Sequence, residues 1–161
     1  MFKGADKFLI VIVVGLLALV VVAVGLAVTR SAEVAYQPDD APDGVTFNYL
    51  LALQRADYDR AYGYISPRIS NYPDSAGAFA AQIEQSPDLR YNRNSALAVD
   101  STRAEGDTAW VKVRETRYTR GFLLSNNQYS HTFQVTLRRD SGAWKIVDSE
   151  GYWYWDWRKK S

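Results

Sequence analysis

The run TAWVKVRETRYTRGFLLSNNQYSHTFQVTLRRDSGAWKIVD, residues 108–148, repeats its apolar side chains at every second position. His131, Phe133, Val135 and Leu137 alternate with Thr132, Gln134, Thr136 and Arg138, the pattern of a strand with one covered face. Upstream, Val111, Val113 and Tyr118 belong to a preceding strand, and Ser125-Asn126-Asn127-Gln128 supplies a hairpin turn because Asn accepts positive φ. Ser141-Gly142 turns the chain again into Ala143-Trp144-Lys145-Ile146-Val147-Asp148. With Asn126 and Asn127 as the two loop residues, Tyr118 faces Val135 and Thr116 faces Leu137, which leaves Val111 and Val113 out of phase with the apolar set. One extra residue restores the phase, so the spacing predicts a β-bulge between Arg114 and Arg120 that bends the sheet.

Working back toward the N-terminus, Glu105-Gly106-Asp107 makes a turn into a strand holding Leu97 and Val99. Before Asn94 the period is helical. Phe47, Leu50 and Leu51 share a side from Gly44 onward, and Asp57 is placed to cap a second helix carrying Tyr58, Ala61, Tyr62 and Ile65. A third helix opens at Asp74 or Ser75, presents Ala76, Phe79, Ala80 and Ile83, and stops at Ser86-Pro87. Three helices followed by an antiparallel meander is an α+β plan, with the helices packed on a strongly bent sheet.

The order of these elements resembles the nuclear transport factor 2-like superfamily. The likeness is carried by Ala56-Asp57-Tyr58-Asp59-Arg60-Ala61-Tyr62, Gly106-Asp107-Thr108-Ala109-Trp110-Val111 and Ala143-Trp144-Lys145-Ile146-Val147, and it covers about residues 44–150. The resemblance implies a cone of helices in a curved sheet, often with a pocket at its open end. It leaves function open, since the superfamily holds isomerases, dehydratases and cyclases beside non-catalytic binding and assembly domains. No catalytic position of that superfamily maps onto this chain residue by residue.

Phe8–Thr29 is 22 residues without a charge, about 33 Å as a helix and close to the ~30 Å of a bilayer core. A cleavable signal peptide is the rival reading, but its apolar region runs only about 7 to 15 residues. The expectation is a transmembrane helix within residues 1–30. Lys3 and Lys7 precede the run and Glu33, Asp39, Asp40 and Asp43 follow, so the N-terminus is expected in the cytoplasm of a bacterial-type cytoplasmic membrane and the rest outside it. Gly15, Ala18, Val22 and Gly25 fall on one helical stripe, either a packing face for another helix or a consequence of common membrane composition. Residues 31–43, with Pro38 and Pro42, read as an extended linker. Its Asp39-Asp40-Ala41-Pro42-Asp43 has a metal-motif spacing, yet Pro42 opposes the helix such a motif needs.

The chain holds 19 Lys and Arg, 18 Asp and Glu, one His and no Cys among 161 residues. Near-neutral charge offers no footprint for nucleic acid, and the lack of thiols removes disulfides, thiolate metal sites and thiol nucleophiles. The basic side chains are unevenly placed. Residues 110–145 carry seven against two acidic ones, which suits an acidic partner, anionic headgroups or simple solubility of a sheet face.

The lone histidine, His131, is either a general base or a rim or core residue satisfied by a hydrogen bond, the latter favoured. Glu115 and Arg117 either line the mouth of a pocket or form a surface pair, the latter favoured. Candidate pocket-lining residues are Tyr62, Glu115, His131, Phe133 and Trp144. No cofactor or metal is expected.

The tail, residues 151–161, concentrates Tyr152, Trp153, Tyr154, Trp155 and Trp157 ahead of Arg158-Lys159-Lys160. If extended, it puts Trp153, Trp155 and Trp157 on one face. Such rings suit a protein partner, a membrane interface or the domain's own core. Docking on a partner is the leading reading, and with it removal of residues 152–161 leaves the fold intact. Taken together these features describe a non-catalytic, single-pass accessory or assembly subunit of a larger membrane protein complex, an electron-transport assembly being one host of the right kind. A small-ligand-binding sensor domain and an isomerase- or dehydratase-like enzyme are the alternatives, and the identity of any small-molecule ligand is not encoded in a motif.

Overall fold

The computed structural model describes residues 12–17, 19–20, 34–89, 95–120 and 126–158. The chain forms two compact units, Met1–Ala35 and Tyr36–Ser161. In the first, residues 12–17 and 19–20 are helical and exposed. Among the described residues no helix is long and apolar enough to cross a membrane. Much of the expected span 8–29 lies outside the described residues, as do Ala18, Val22 and Gly25 of the small-residue stripe. Gly15 is described, and a Cβ built there meets nothing within 4 Å.

The second unit is α+β. Helix α1 runs Pro42–Arg55, α2 Tyr58–Tyr64 and α3 Ala76–Gln85, followed by strands β1 Ser95–Glu105, β2 Thr108–Arg120, β3 Asn126–Asp140 and β4 Ala143–Ser149. The four strands form one antiparallel sheet in sequence order. Local chemistry sets the helix starts. Pro42 opens α1, a position where its missing N–H leaves no helical bond unmade. Asp57 and Ser75 cap α2 and α3 by accepting from Arg60 N at 3.3 Å and Ala78 N at 3.1 Å. Both caps fall where the sequence puts them.

One sheet face is closed by the helices. Val111, Val113, Val135, Leu137 and Ile146 are fully buried there, against Val45, Tyr49 and Leu53 of α1, Ala61 of α2 and Phe79 and Ile83 of α3. Each large apolar side chain removed from water in this way contributes about 1.5–3 kcal/mol. Lys112, Arg114, Gln134 and Thr132 alternate to the open face.

The expected bulge in β2 is absent. The β2–β3 register is continuous from Thr108↔Arg138 to Arg120↔Asn126, with Val111 opposite Val135 and Val113 opposite Phe133. The reason is the position of the connection. Asn126 and Asn127 pair within β3, and the strands are joined through residues 121–125 instead. An odd-length connection keeps odd positions opposite odd positions, so the phase conflict that called for a bulge never arises. Irregularities fall at other places: between Val99 and Ser101 on β1, where Asp100 is the extra residue, and opposite Thr136 and Leu137, where Val147 is extra on β4. These bend the two outer strands while the central pair stays regular.

The residues from Tyr36 onward are fastened to the helices. Asn48, fully buried on α1, accepts from Gln37 N at 2.7 Å, donates to Gln37 O at 2.7 Å and also bonds the Asp39 carboxylate. The Tyr64 hydroxyl donates to Asp39 Oδ1 at 3.1 Å, and the Arg60 guanidinium lies 3.6 Å from the Tyr36 ring centroid. Gly44 is required here, because a Cβ at that position would collide with the Pro38 carbonyl. The part of the expected linker that follows Ala35 is therefore a bound strap, held by an Asn side chain that matches both backbone polar groups of one residue, Gln37.

Beyond β4 the chain leaves the extended state. Tyr152 takes φ +56°, and Trp155–Trp157 form a short 3-10 turn, so the rings do not alternate as they would in a strand. Tyr152, Trp153 and Trp157 turn into the core, with Trp157 at 1% exposure, while Trp155 is 68% exposed. Trp157 stacks on Phe79 at 5.4 Å and its indole N–H donates to Gln82 Oε1 at 3.0 Å. Of the five rings expected to dock on a partner, three belong to the domain's interior. The physical cause is the sheet itself: four strands and three short helices leave the space beside Phe79 and Phe133 open, and the nearest apolar side chains that can fill it are these.

Candidate functional site

The polar feature buried deepest in the sheet is Glu115, 1% exposed on the inner face of β2. Its position follows from strand alternation, since it continues the series Ala109, Val111 and Val113 by one more step of two. Across the ladders it pairs with Leu97 of β1 and His131 of β3. A carboxylate there must be compensated, and three side chains bond it while a fourth, His131, lies beside it. Oε1 accepts from Ser95 Oγ at 2.7 Å, Arg117 Nε at 2.8 Å and the Tyr152 hydroxyl at 3.1 Å. Oε2 lies 3.3 Å from His131 Nε2 and 3.4 Å from Arg117 Nη2.

The four partners come from three strands and the C-terminal segment. Tyr152 is held in turn by α1, whose buried Tyr49 hydroxyl donates to the Tyr152 carbonyl at 2.8 Å. Burial alone pushes the Glu115 carboxyl upward, but the bonds from Arg117, Ser95 and Tyr152 and the charge of Arg117 outweigh it and hold the group below its ordinary value. The same pairing raises Arg117 above the usual guanidinium value. Burial raises the Tyr49 phenol far above its ordinary range, so it stays a neutral donor.

Chemically, this is a carboxylate whose Oε1 accepts three hydrogen bonds and whose charge is stabilised. A general base works best with a pKa near the operating pH and a free lone pair aimed at the substrate. Glu115 has neither. The arrangement is suited to clasping β1, β2, β3 and the C-terminal segment at one point, and the surface-pair reading of Glu115 and Arg117 is corrected: Arg117 is half exposed at 53%, Glu115 is not.

The expected pocket-lining residues separate into two groups. Glu115, His131 and Phe133 are together, with His131 and Phe133 rings 6.3 Å apart and Phe133 and Tyr152 5.9 Å apart. Tyr62 lies elsewhere, stacked on Tyr72 at 5.1 Å and donating to Pro73 O at 2.8 Å. Trp144 is buried at the start of β4 beneath the Arg139 guanidinium, 4.9 Å from its ring centroid. Ser95, Tyr49 and Tyr152 complete the cluster without having been singled out for it. Parity along β2 and β3 joins Glu115 to His131, but no local pattern ties a serine 20 residues upstream or a tyrosine 37 residues downstream to that carboxylate. Among the described residues no group of three or more His, Asp or Glu side chains is placed to hold a metal ion.

No protein-family model matches the chain, and no curated protein does. Solved structures of similar arrangement include a SEC-C motif containing protein from Rhodopseudomonas palustris, 18% identical, aligned over 79% of this chain and 87% of that one with a TM-score of 0.48. A nuclear transport factor 2-like protein with a cystatin-like fold from Novosphingobium aromaticivorans is also 18% identical, over 66% of this chain and 75% of that one, with a TM-score of 0.45. A protein of unknown function with a cystatin-like fold from Nostoc punctiforme is 13% identical over 65% and 82%, with a TM-score of 0.43.

Proposed function

We propose that this chain is a membrane-tethered, non-catalytic module that serves as an accessory or assembly subunit of a larger membrane protein complex. Residues 8–29 act as its single span, with the N-terminus cytoplasmic and the Tyr36–Ser161 unit outside the membrane. The observation that supports the non-catalytic part is the bonding of Glu115: the most buried carboxylate of the sheet accepts from Ser95, Arg117 and Tyr152, all three structural partners. The support for the tether is the uncharged run itself. Docking then falls to exposed groups of the folded unit, among which Tyr118, Tyr129 and Trp155 are large rings at 50%, 66% and 68% exposure.

The test is extraction of the full-length protein from its native membrane. Retention through an alkaline carbonate wash, followed by co-purification of defined membrane subunits in mild detergent, is the expected result. Release by the wash, or recovery as a free monomer with no companion, overturns the reading.

A further inference from the structure

Past Glu115 the sheet narrows to two strands. β1 begins at Ser95, opposite Arg117, so beyond that pair the described ladder holds β2 and β3 alone: Tyr118 faces Gln128, Thr119 faces Asn127 and Arg120 faces Asn126. Cover from the helices ends near the same point. Val111, Val113, Val135 and Phe133 are buried on the inner face, whereas Tyr129, which continues that face two steps beyond Phe133, is 66% exposed. Tyr118, on the outer face, is half exposed. The two strands therefore form a ribbon with a large ring bare on each side, about 10 Å from Arg117 to Arg120 at ~3.4 Å per residue.

The charge on this ribbon has one sign. No acidic side chain occurs from Thr116 to Arg139, while Arg117 and Arg120 lie on the ribbon itself. Arg117 bonds Glu115, but the carboxylate is buried behind it and the guanidinium is half exposed, so the surface presents the positive partner. The residues that join the strands, Gly121-Phe122-Leu123-Leu124-Ser125, carry no charge and three large apolar side chains. An acidic protein would answer the arginines and leave the rings and the apolar sequence unexplained. The headgroup layer of a bilayer answers both, since tyrosine sits there with its ring toward the acyl chains and its hydroxyl in the polar zone, and arginine pairs with lipid phosphate. We propose that the β2–β3 ribbon rests in the headgroup layer of a bilayer that contains anionic lipid, with Tyr118 and Tyr129 at the interface. The inference rests on the membrane-tethered reading and adds a second lipid contact to the span, a weak contact made effective by the tether. It leaves Trp155 as the exposed ring for a neighbouring subunit.

The chain has no Cys, so Gln128→Cys carries a single polarity-sensitive fluorophore on the ribbon opposite Tyr118, and Asp107→Cys carries one at the other end of β2. Both full-length proteins are reconstituted into phosphatidylcholine vesicles with and without phosphatidylglycerol, and quenching by doxyl-labelled lipid reports contact with the bilayer. Quenching at position 128 in the anionic vesicles, with position 107 unquenched in both, is expected. The ratio of lipid-contacting to water-exposed label rises about fivefold for each of the two arginines, and Arg120→Gln, which leaves the Glu115 bonds untouched, lowers it about fivefold. Tyr118→Ser/Tyr129→Ser removes the quenching with an unchanged urea midpoint, because neither ring belongs to the core. Absence of quenching in a protein that stays with the vesicles through an alkaline carbonate wash overturns this proposal alone. Release by the wash overturns the tethered reading and the proposal built on it. Equal quenching in phosphatidylcholine alone, or quenching that survives the double Tyr variant, also overturns it. So does an emission shift without lipid quenching that grows with the protein-to-lipid ratio, which assigns the ribbon to a second copy of the chain.

Discussion

Replacing Glu115 removes the point at which three strands and the C-terminal segment meet. Glu115→Ala removes the bonds that the Ser95 and Tyr152 hydroxyls donate to a charged acceptor; each such bond is about 1.5–3 kcal/mol, and the vacated volume adds to it, for a total of about 4 kcal/mol. Glu115→Gln keeps the shape and one acceptor oxygen but loses the charge. The difference between charged and neutral bonds is about 1 kcal/mol each, and the Arg117 contribution is discounted because that side chain is half in water, which gives about 2 kcal/mol. At about 4 °C per kcal/mol for a unit of this size, the midpoints fall by about 16 °C and 8 °C.

Acidity separates a charge effect from a packing effect. The folded carboxyl titrates below its ordinary value of 4.5, so the unfolded chain takes up the proton first as pH falls. The contribution of the charge is complete above that ordinary value and is lost as pH drops through the lower, folded one. Urea unfolding of the full chain in detergent, followed by near-ultraviolet dichroism at pH 7, 5, 4 and 3, checks both points. The gap between wild type and Glu115→Gln closes on acidification, whereas much of the Glu115→Ala deficit persists. A Glu115→Ala loss below about 1 kcal/mol at pH 7, or a Glu115→Gln gap that is constant from pH 7 to pH 3, refutes the clasp.

Two further outcomes concern the C-terminal segment. Truncation before Tyr152 abolishes cooperative unfolding rather than leaving the domain intact, since it removes three core rings; Trp157→Ala alone lowers stability by about 3–5 kcal/mol, readable as the shift in urea midpoint. Gly151→Ala brings a methyl to 3.0–3.1 Å from the Phe133 ring and lowers stability by about 1–2 kcal/mol, to be measured in the same way, with an unchanged midpoint arguing against the packing described.

The helix starts at Asp57 and Ser75, the turns at Gly106-Asp107 and Ser141-Gly142, and the inner face of β3 follow from local rules, because a cap or a two-residue turn is fixed by the few atoms around it. Register is less local. The Asn126-Asn127 pair is a good turn in isolation, yet it lies inside β3, because the apolar faces of β2 and β3 align when the connection has an odd number of residues and not the two of an Asn-Asn turn. The aromatic tail shows the same limit more strongly: its rings carry the composition of an interface, and what determines whether that interface is internal is the empty volume left by elements 70 or more residues away, such as Gln82 and Phe79. The Glu115 cluster was half legible, through the shared parity of Glu115 and His131, and half hidden in contacts between distant segments.

Because Tyr152, Trp153 and Trp157 are synthesised after every strand and helix they complete, the interior cannot close while translation is still short of them. Until then Phe79 and Phe133 border an unfilled gap, a nascent intermediate with the greasy surface that chaperones and proteases recognise. A message cut short just before residue 152 would therefore yield a product whose interior stays open and which is marked for degradation.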